Sequence, residues 1–418
     1  MSEFSGKKIH MVGIKGVGMT ALCELLLNLG ARVSGSDVEE EFHTDRVLER
    51  LGVKPLNFSA DNISSDLNLV IYSSAYNEEH PERKRAGELN LPQKSYAEAL
   101  SDIFNQKKGI MVAGSHGKTT TTALLGQIMI SGGLDPTIIV GGTAIAWDSN
   151  FRAGKSEWML VEGDEYQNKF LNFKPSYLII TNIDYDHPDT FPDRKSYREA
   201  FEKLSAQTAK KVFTLEAVKP LDSGTMKLFD SDYLIGEHNR RNASLVLALA
   251  RELGIGDESV KKGVSEFKGV RRRAEIYYRN ENLLIMDDYA HHPAEISATL
   301  KAVKDNWPDY KIAVIFQPHT FSRTRALLGE FGKSFSAADE VILLPTYSSA
   351  REQKEKGESA DRLLFKAVAE NNSNCKTGLA NEKELVDRSE KTLIITMGAG
   401  DVWQIANRLK TIAESKPL

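Results

Sequence analysis

Short apolar runs recur along the chain, separated by longer stretches in which apolar residues return every three or four positions. Ile9–Val12, Leu69–Tyr72, Ile110–Ala113, Trp158–Val161, Tyr177–Thr181, Leu284–Met286, Ile312–Phe316, Val341–Leu344 and Thr392–Thr396 are such runs. Most are continuous rather than alternating, the pattern of strands buried on both faces of a parallel sheet. Helical periodicity falls on Met19–Leu29, Thr120–Ile130, Asn239–Leu253 and Ala294–Lys304. Strand and helix alternate, so the pattern predicts an α/β protein with doubly wound sheets. Ser95-Tyr96-Ala97-Glu98 has the capping-box spacing and predicts a helix start.

The length of 418 residues, at roughly 150 residues per domain, leaves room for about three domains. The polar stretch Asn105-Gln106-Lys107-Lys108 and the Gly/Arg stretch Lys268–Arg273 mark two seams, dividing the chain into 1–105, 106–269 and 270–418. Lys and Arg number 54 against 58 Asp and Glu, a net charge of −4. Without a basic excess to neutralise a phosphate backbone, no nucleic-acid partner is expected. The two cysteines, Cys23 and Cys375, cannot build a disulfide framework or a cysteine zinc site, which fits a reducing compartment. No apolar run reaches membrane-span length. The polar start, residues 1–8, lacks the apolar core of a secretory leader. A cytoplasmic protein without a membrane partner is expected.

Two turns carry phosphate chemistry. Strand Ile9–Val12 leads into Gly13-Ile14-Lys15-Gly16-Val17-Gly18-Met19-Thr20-Ala21, where Gly16-x-Gly18-x-x-Ala21 is a dinucleotide fingerprint. Glycines there let the backbone approach a diphosphate, whose charge faces a helix N-terminus. Asp37, at the end of the next strand, stands where a ribose-binding acid belongs. NAD and a UDP-sugar satisfy these residues equally. The second turn, Gly114-Ser115-His116-Gly117-Lys118-Thr119-Thr120, follows strand Ile110–Ala113 and opens an apolar helix. It is a shortened phosphate loop. Its backbone N–H groups would cradle phosphate oxygens, Lys118 would reach the terminal phosphates and the Thr119 hydroxyl would ligate Mg²⁺.

Further polar clusters fall on strand ends, the ligand edge of an open α/β sheet. Glu162-Gly163-Asp164-Glu165 follows one strand and Asn182-Ile183-Asp184-Tyr185-Asp186-His187 the next. Hard oxygen ligands of this kind suit Mg²⁺. His238, Asn239 and Asn242 open a helix, and the two amides, three residues apart, share a face suited to an adenine edge. Arg271-Arg272-Arg273 is able to stabilise a transferring phosphoryl group. Asp287-Asp288-Tyr289-Ala290-His291-His292-Pro293 and the run Phe316–Arg325 follow two later strands, the second offering guanidinium groups for a carboxylate.

Taken in order, Gly114–Thr120, Glu162, His187, His238-Asn239-x-x-Asn242 and Asp288-Tyr289-x-His291-His292-Pro293 resemble the Mur ligases over essentially the whole chain. Gly13-Ile14-x-Gly16-x-Gly18-Met19 and Phe316-Gln317-Pro318-His319-x-Phe321-Ser322-Arg323-Thr324 look most like the members that join L-alanine to UDP-N-acetylmuramate in peptidoglycan precursor synthesis. The resemblance implies an N-terminal Rossmann-like domain for the UDP-sugar, a central P-loop ATPase-like domain and a C-terminal Rossmann-like domain for the amino acid. It assigns Gly13, Gly16, Val17, Gly18, Asp37, Ser73 and Ser74 to the UDP-sugar. Gly114, Ser115, His116, Gly117, Lys118, Thr119, Thr120, His238, Asn239, Asn242, Arg273 and Asp288 go to ATP. Thr119 and Glu162 are implied to hold Mg²⁺, for which Mn²⁺ would substitute, with His187 near a second metal position. Tyr289, His291 and Arg323 place L-alanine, and Lys118, His187, Arg273, His291 and Arg323 form the catalytic set. A monomer or homodimer is expected.

The same resemblance marks departures. The segment between His187 and His238 is shorter than in typical members, so part of the central domain is expected to be trimmed. Thr320 stands where many relatives carry Arg. Competing readings are the branch that ligates a recovered tripeptide, a catalytically silent nucleotide sensor, and an NAD-dependent dehydrogenase. The dehydrogenase leaves the second phosphate loop without a role.

Overall fold

Each third of the chain builds its own sheet. The computed structural model describes residues 3–42, 44–187, 190–347, 359–379 and 381–415. The first sheet contains β1 (Lys8–Val12), β2 (Arg32–Ser36), β3 (Leu69–Tyr72) and β4 (Gln93–Ser95) in the order β2-β1-β3-β4, all parallel. The second contains β5 (Lys108–Ala113), β6 (Thr137–Ala144), β7 (Ser149–Arg152), β8 (Trp158–Glu162), β9 (Tyr177–Ile180) and β10 (Lys211–Thr214), ordered β10-β9-β5-β8-β6-β7. The third contains β11 (Glu275–Arg279), β12 (Leu283–Asp288), β13 (Lys311–Phe316), β14 (Glu340–Leu343), β15 (Cys375–Thr377) and β16 (Thr392–Met397), ordered β11-β12-β16-β13-β14-β15. The edge strands β7 and β11 run antiparallel to their neighbours; the other pairs of these two sheets are parallel.

The continuous apolar runs became the central strands. Every residue of β12 and β16 is buried, as are the last five of β5. The pattern did not predict β4, β6, β7, β10, β11 or β15. β4 (Gln-Lys-Ser) and β15 (Cys-Lys-Thr) are short, polar edge strands. β6 carries two glycines where its ladder with β7 is interrupted. Their pairing comes from neighbours rather than from their own side chains.

The predicted cap at Ser95 is present. Its side chain accepts from Glu98 N, and the Glu98 carboxylate accepts from Ser95 N, at the start of helix Tyr96–Phe104.

The chain forms two compact units. One holds Met1–Asp230 with Arg241–Lys268, and the other Ser231–Arg240 with Gly269–Leu418. The first two sheets share a unit because one apolar core runs through Met11, Leu22 and Leu100 into Phe104, Met111, Phe170 and Leu178. In the second unit, Met286, Val314, Phe316 and Ile395 pack with Phe331 and Phe335 on one face of the sheet. Between Thr214 and Glu237 the chain contains only a short helix, Ser223–Met226, and a 3₁₀ turn, Lys227–Phe229. This stretch is the later part of the segment expected to be trimmed, His187 to His238, whose earlier part holds helix Arg194–Gln207 and β10.

Candidate active site

β5 sits at the centre of the second sheet, so three loops converge on its carboxyl end: its own and those of its neighbours β8 and β9. Its own loop is the predicted phosphate loop. Gly114 (φ 137°) and Gly117 (φ 78°) occupy the left-handed half of backbone space. A Cβ on Gly114 would lie 2.1 Å from Thr181 Oγ1, and one on Gly117 2.5 Å from Asn242 Nδ2. Only glycine fits both demands. The loop after β9 braces this turn. Asn182 Oδ1 accepts from His116 N at 2.9 Å, and Thr181 Oγ1 donates to the His116 carbonyl at 2.7 Å. Helix Lys118–Ser131 then starts with its N–H groups at the loop.

Lys118 and Thr119 face the acids at the end of β8. Thr119 Oγ1 donates to Glu162 Oε1 at 2.9 Å, and Gly141 N donates to Glu162 Oε2 at 2.6 Å. Glu162 is thus aimed by two donors, with a hydroxyl and a carboxylate oxygen side by side. This is a donor pair that a hard cation suits. Among the described residues, no cluster of three or more His, Cys, Asp or Glu side chains forms a ready-made metal cage. That is compatible with Mg²⁺, which takes few protein ligands and relies on phosphates and water.

Sequence reasoning counted Glu165 as one acid of a cluster suited to Mg²⁺ and gave it no role of its own; the structure puts it at the centre. It is 1% exposed. Lys118 Nζ lies 3.0 and 2.9 Å from its two oxygens and also donates to the Gly114 carbonyl. Tyr197 OH donates to Glu165 Oε1 at 3.5 Å, and His187 Nε2 lies 3.7 Å from that same oxygen. Burial pushes the Glu165 carboxyl up, and the Lys118 charge pulls it back. His187 has a positive φ of 55° and also lies 3.8 Å from Asp186 Oδ2. Three acids in four residues were the available signal. The turn geometry, with Gln167 and Asn168 at φ 54° and 58°, decides which of them is buried.

In the first sheet the strand order reverses between β1 and β3, the usual place for a ligand. Gly16, Val17 and Gly18 after β1, with Ser73 and Ser74 after β3, line a cleft of about 600 Å³. Lys118, Gly141, Glu162 and Asp164 line it as well. The cleft therefore joins the glycine-rich turn to the phosphate loop within one compact unit. Tyr96 also lines it, packed so that a Cβ on Gly18 would fall 2.8 Å from its Cζ. Asp37 follows β2 and is tied to the glycine-rich turn. It is 5% exposed and accepts from Lys15 N at 2.7 Å, Val38 N at 2.8 Å and Tyr76 OH at 3.3 Å. These donors hold the carboxylate against the turn and the Tyr76 hydroxyl. Gly13 (φ 82°) also turns inward, where a Cβ would fall 2.5 Å from the Tyr76 ring.

The third sheet brings β12, β16 and β13 side by side, and with them the loops that follow. Asp288 accepts from Ala274 N and Ala290 N at 2.7 and 2.8 Å. Burial pushes its carboxyl up, and Arg273 opposes this. The three arginines separate into distinct jobs. Arg271 lies 3.6 Å from Glu275, while Arg272 pairs with buried Asp287 and donates to the Gly398 and Gly400 carbonyls. Arg273 lies over the Tyr289 ring, 5.3 Å from its centroid. His291 Nδ1 lies 3.1 Å from the Tyr289 carbonyl. A carbonyl only accepts, so that nitrogen carries the proton and Nε2 is left as an acceptor. Burial holds the imidazole below its usual range, with the Glu295 charge opposing. Arg323 donates to His319 Nδ1 at 3.4 Å. Thr320 (φ 68°) opens the short helix Phe321–Ala326 that carries Arg323.

At the helix opening Asn242 packs against the phosphate loop, in the first unit. His238 and Asn239 belong to the second unit, where Asn239 Nδ2 donates to the Ile235 carbonyl at 2.8 Å. Asn239 thus braces its own helix entry.

A phosphate loop in a parallel sheet, a glycine-rich turn sharing its cleft and a third α/β sheet rich in acids and arginines define a nucleotide-dependent α/β enzyme. Family comparison makes the class specific. Residues 8–108 match the Mur ligase family catalytic domain, 112–224 the Mur ligase middle domain, and 272–400 the Mur ligase glutamate ligase domain. The chain belongs to the Mur ligase family, whose members are ATP-dependent. A UDP-N-acetylmuramate–L-alanine ligase of Desulfitobacterium hafniense is 38% identical over 446 positions, covering 96% of this chain and 99% of the relative. One from Ligilactobacillus salivarius is 37% identical, covering 95% of each. The crystal structure of the UDP-N-acetylmuramate–alanine ligase of Thermotoga maritima superposes with a TM-score of 0.79 at 30% identity, over 98% of this chain and 99% of that one. A murein peptide ligase of Psychrobacter arcticus shares the fold, with a TM-score of 0.65 at 21% identity.

Proposed function

We propose that this protein joins L-alanine to the lactyl carboxylate of UDP-N-acetylmuramate at the expense of ATP, releasing ADP and phosphate. The first domain takes the UDP-sugar, the second ATP and the third the amino acid. The observation that carries this reading is the single cleft lined by Gly16–Gly18 on one wall and by Lys118 and Glu162 on the other. An acceptor carboxylate bound through its UDP moiety would there meet a terminal phosphate.

A carboxylate does not react productively with an amine at neutral pH, so it needs activation. Its oxygen attacks the γ-phosphorus, the bond to the bridging oxygen breaks, and ADP leaves an acyl phosphate. The alanine nitrogen then attacks the acyl carbon, and phosphate departs with the C–O bonding pair. Charge accumulates on the phosphoryl oxygens in the first step, where Lys118 and Arg273 act electrostatically. The neutral Nε2 of His291 takes the ammonium proton in the second. Tyr289 and Arg323 orient the amino acid. Thr119 and Glu162 would hold Mg²⁺, with His187 near a second position, and the ion would neutralise phosphate charge. We take the enzyme to act in the cytoplasm.

Phosphate release from ATP tests the reading, with UDP-N-acetylmuramate as acceptor and L-alanine, L-serine, glycine or tripeptide as the amine. Release should be fastest with L-alanine. Faster release with tripeptide would shift the assignment to the recycling branch, and no release with any amine would remove it.

A further inference from the structure

The hairpin formed by β6 and β7 lies outside every motif, yet it touches both halves of the cleft. Its ladder pairs Ile139 with Phe151 and Ala144 with Ser149. Residues 140–143 of β6 therefore face only Asn150 of β7, a bulge on one side of the hairpin. Bulges re-aim side chains and occur preferentially beside active sites. Here the bulge brings Gly141 to Glu162, where its N–H holds Oε2 at 2.6 Å. A Cβ at Gly141 would fall 2.6 Å from Glu162 Oε1. Opposite the bulge, Asn150 Nδ2 donates at 2.8 Å to the carbonyl of Val17, the first residue of helix Val17–Asn28. Asn150 is 5% exposed. A buried side-chain amide needs a partner, and this one finds it on the glycine-rich turn of the other sheet. Val17 and Gly18 line the cleft, and so do Val140 and Gly141.

We propose that Asn150 is a positioning residue for the sugar nucleotide. Through the hairpin it sets the Val17-Gly18 edge at a fixed distance from Glu162, and hence the acceptor from the phosphate it attacks. The identity of the acceptor rests on the ligase reading above. Asn150 is not among the residues that line the cleft. Its effect is on where the turn stands, so it should act on one substrate rather than on both.

The test is steady-state kinetics with the full chain, alongside calorimetric binding of UDP-N-acetylmuramate and, separately, of UDP. Asn150→Asp keeps the shape but turns a carboxylate oxygen toward the Val17 carbonyl, while Asn150→Ala removes the donor. Asn150→Asp should raise KM for the sugar nucleotide about tenfold and Asn150→Ala about threefold to tenfold. KM for ATP should stay within about twofold and the thermal midpoint within a few degrees. An unchanged sugar-nucleotide KM in a folded Asn150→Asp protein overturns the proposal. So does an equal loss for both substrates with a large fall in midpoint, which marks a purely structural residue. If the unaltered enzyme releases no phosphate with UDP-N-acetylmuramate, the ligase reading fails. Asn150 is then judged on UDP affinity, where a fivefold weakening in Asn150→Asp supports it and no change, or no UDP binding by the unaltered protein, overturns it.

Discussion

Lys118 is held by Glu165 through both carboxylate oxygens, at 3.0 and 2.9 Å, with the carboxylate side chain only 2% exposed. The amine of the phosphate loop is therefore oriented by a buried carboxylate. Breaking one side of a buried pair typically costs about 3–5 kcal/mol, because the remaining charge stays buried. Lys118→Ala should lose thermal stability and also about 10²–10³ in rate, the usual loss for one electrostatic donor. Burial already pushes the Glu165 carboxyl up, and without Lys118 it rises further. A carboxyl raised in the folded state favours folding at low pH, so the deficit of Lys118→Ala should shrink from pH 8 to pH 5. Adding Glu165→Gln should recover midpoint at pH 8 but not turnover. Calorimetry and phosphate release decide. A Lys118→Ala enzyme with normal midpoint and turnover would end the assignment.

The Thr119–Glu162 pair predicts a metal dependence. Chelation with EDTA should abolish phosphate release, and Mg²⁺ or Mn²⁺ should restore it. Glu162→Gln keeps the size and the hydrogen bond from Gly141 N but removes the charge. It should raise the Mg²⁺ concentration for half-activity at least about tenfold. A Mg²⁺ titration curve that coincides with that of the unaltered enzyme would exclude Glu162 as a ligand.

His291 predicts a pH limb. Burial lowers its imidazole pKa, so the ring is neutral at pH 7 and gains a proton only below its ordinary range. A proton acceptor is lost on protonation, so kcat should fall on the acid side, at a pH below the ordinary imidazole range. In His291→Ala, kcat should drop about 10²–10⁴-fold at pH 7.5 and this acid limb should vanish. Persistence of the same limb in the variant would assign the proton to another group.

Asp287 gives a stability prediction. Burial raises its carboxyl to about 6, with Arg272 and Thr396 opposing. Its folded-state value lies above the unfolded one. The contribution to stability is therefore present below about pH 4 and lost as pH climbs through 6. Asp287→Asn removes that titration. The midpoint of the variant minus that of the unaltered protein should rise between pH 4 and pH 7. A flat difference would show that Asp287 does not titrate in this window.

Much of the fold was legible because buried parallel strands are written as continuous apolar runs. β3 begins and ends where its run does, and β5, β12, β13 and β16 begin within a few residues of theirs. The phosphate loop was legible for a different reason. Its glycines answer a local demand, positive φ and close approach at Gly114 and Gly117, that no other residue meets. The hairpin of β6 and β7 was not, since its bulge depends on a partner strand and on Glu162 lying beneath it.

What the amino-acid sequence determined by itself is the chemistry carried on each strand end, because those motifs encode local backbone geometry. The tertiary structure alone decided which partners each acid meets. Asp37 matches a ribose-binding position by spacing, and packing ties it to Lys15 N and Tyr76. Glu165 is one acid among three by sequence, yet it is the one buried against Lys118. Burial and partner identity depend on contacts between residues far apart in the chain, and those contacts set the charge and direction of a carboxylate.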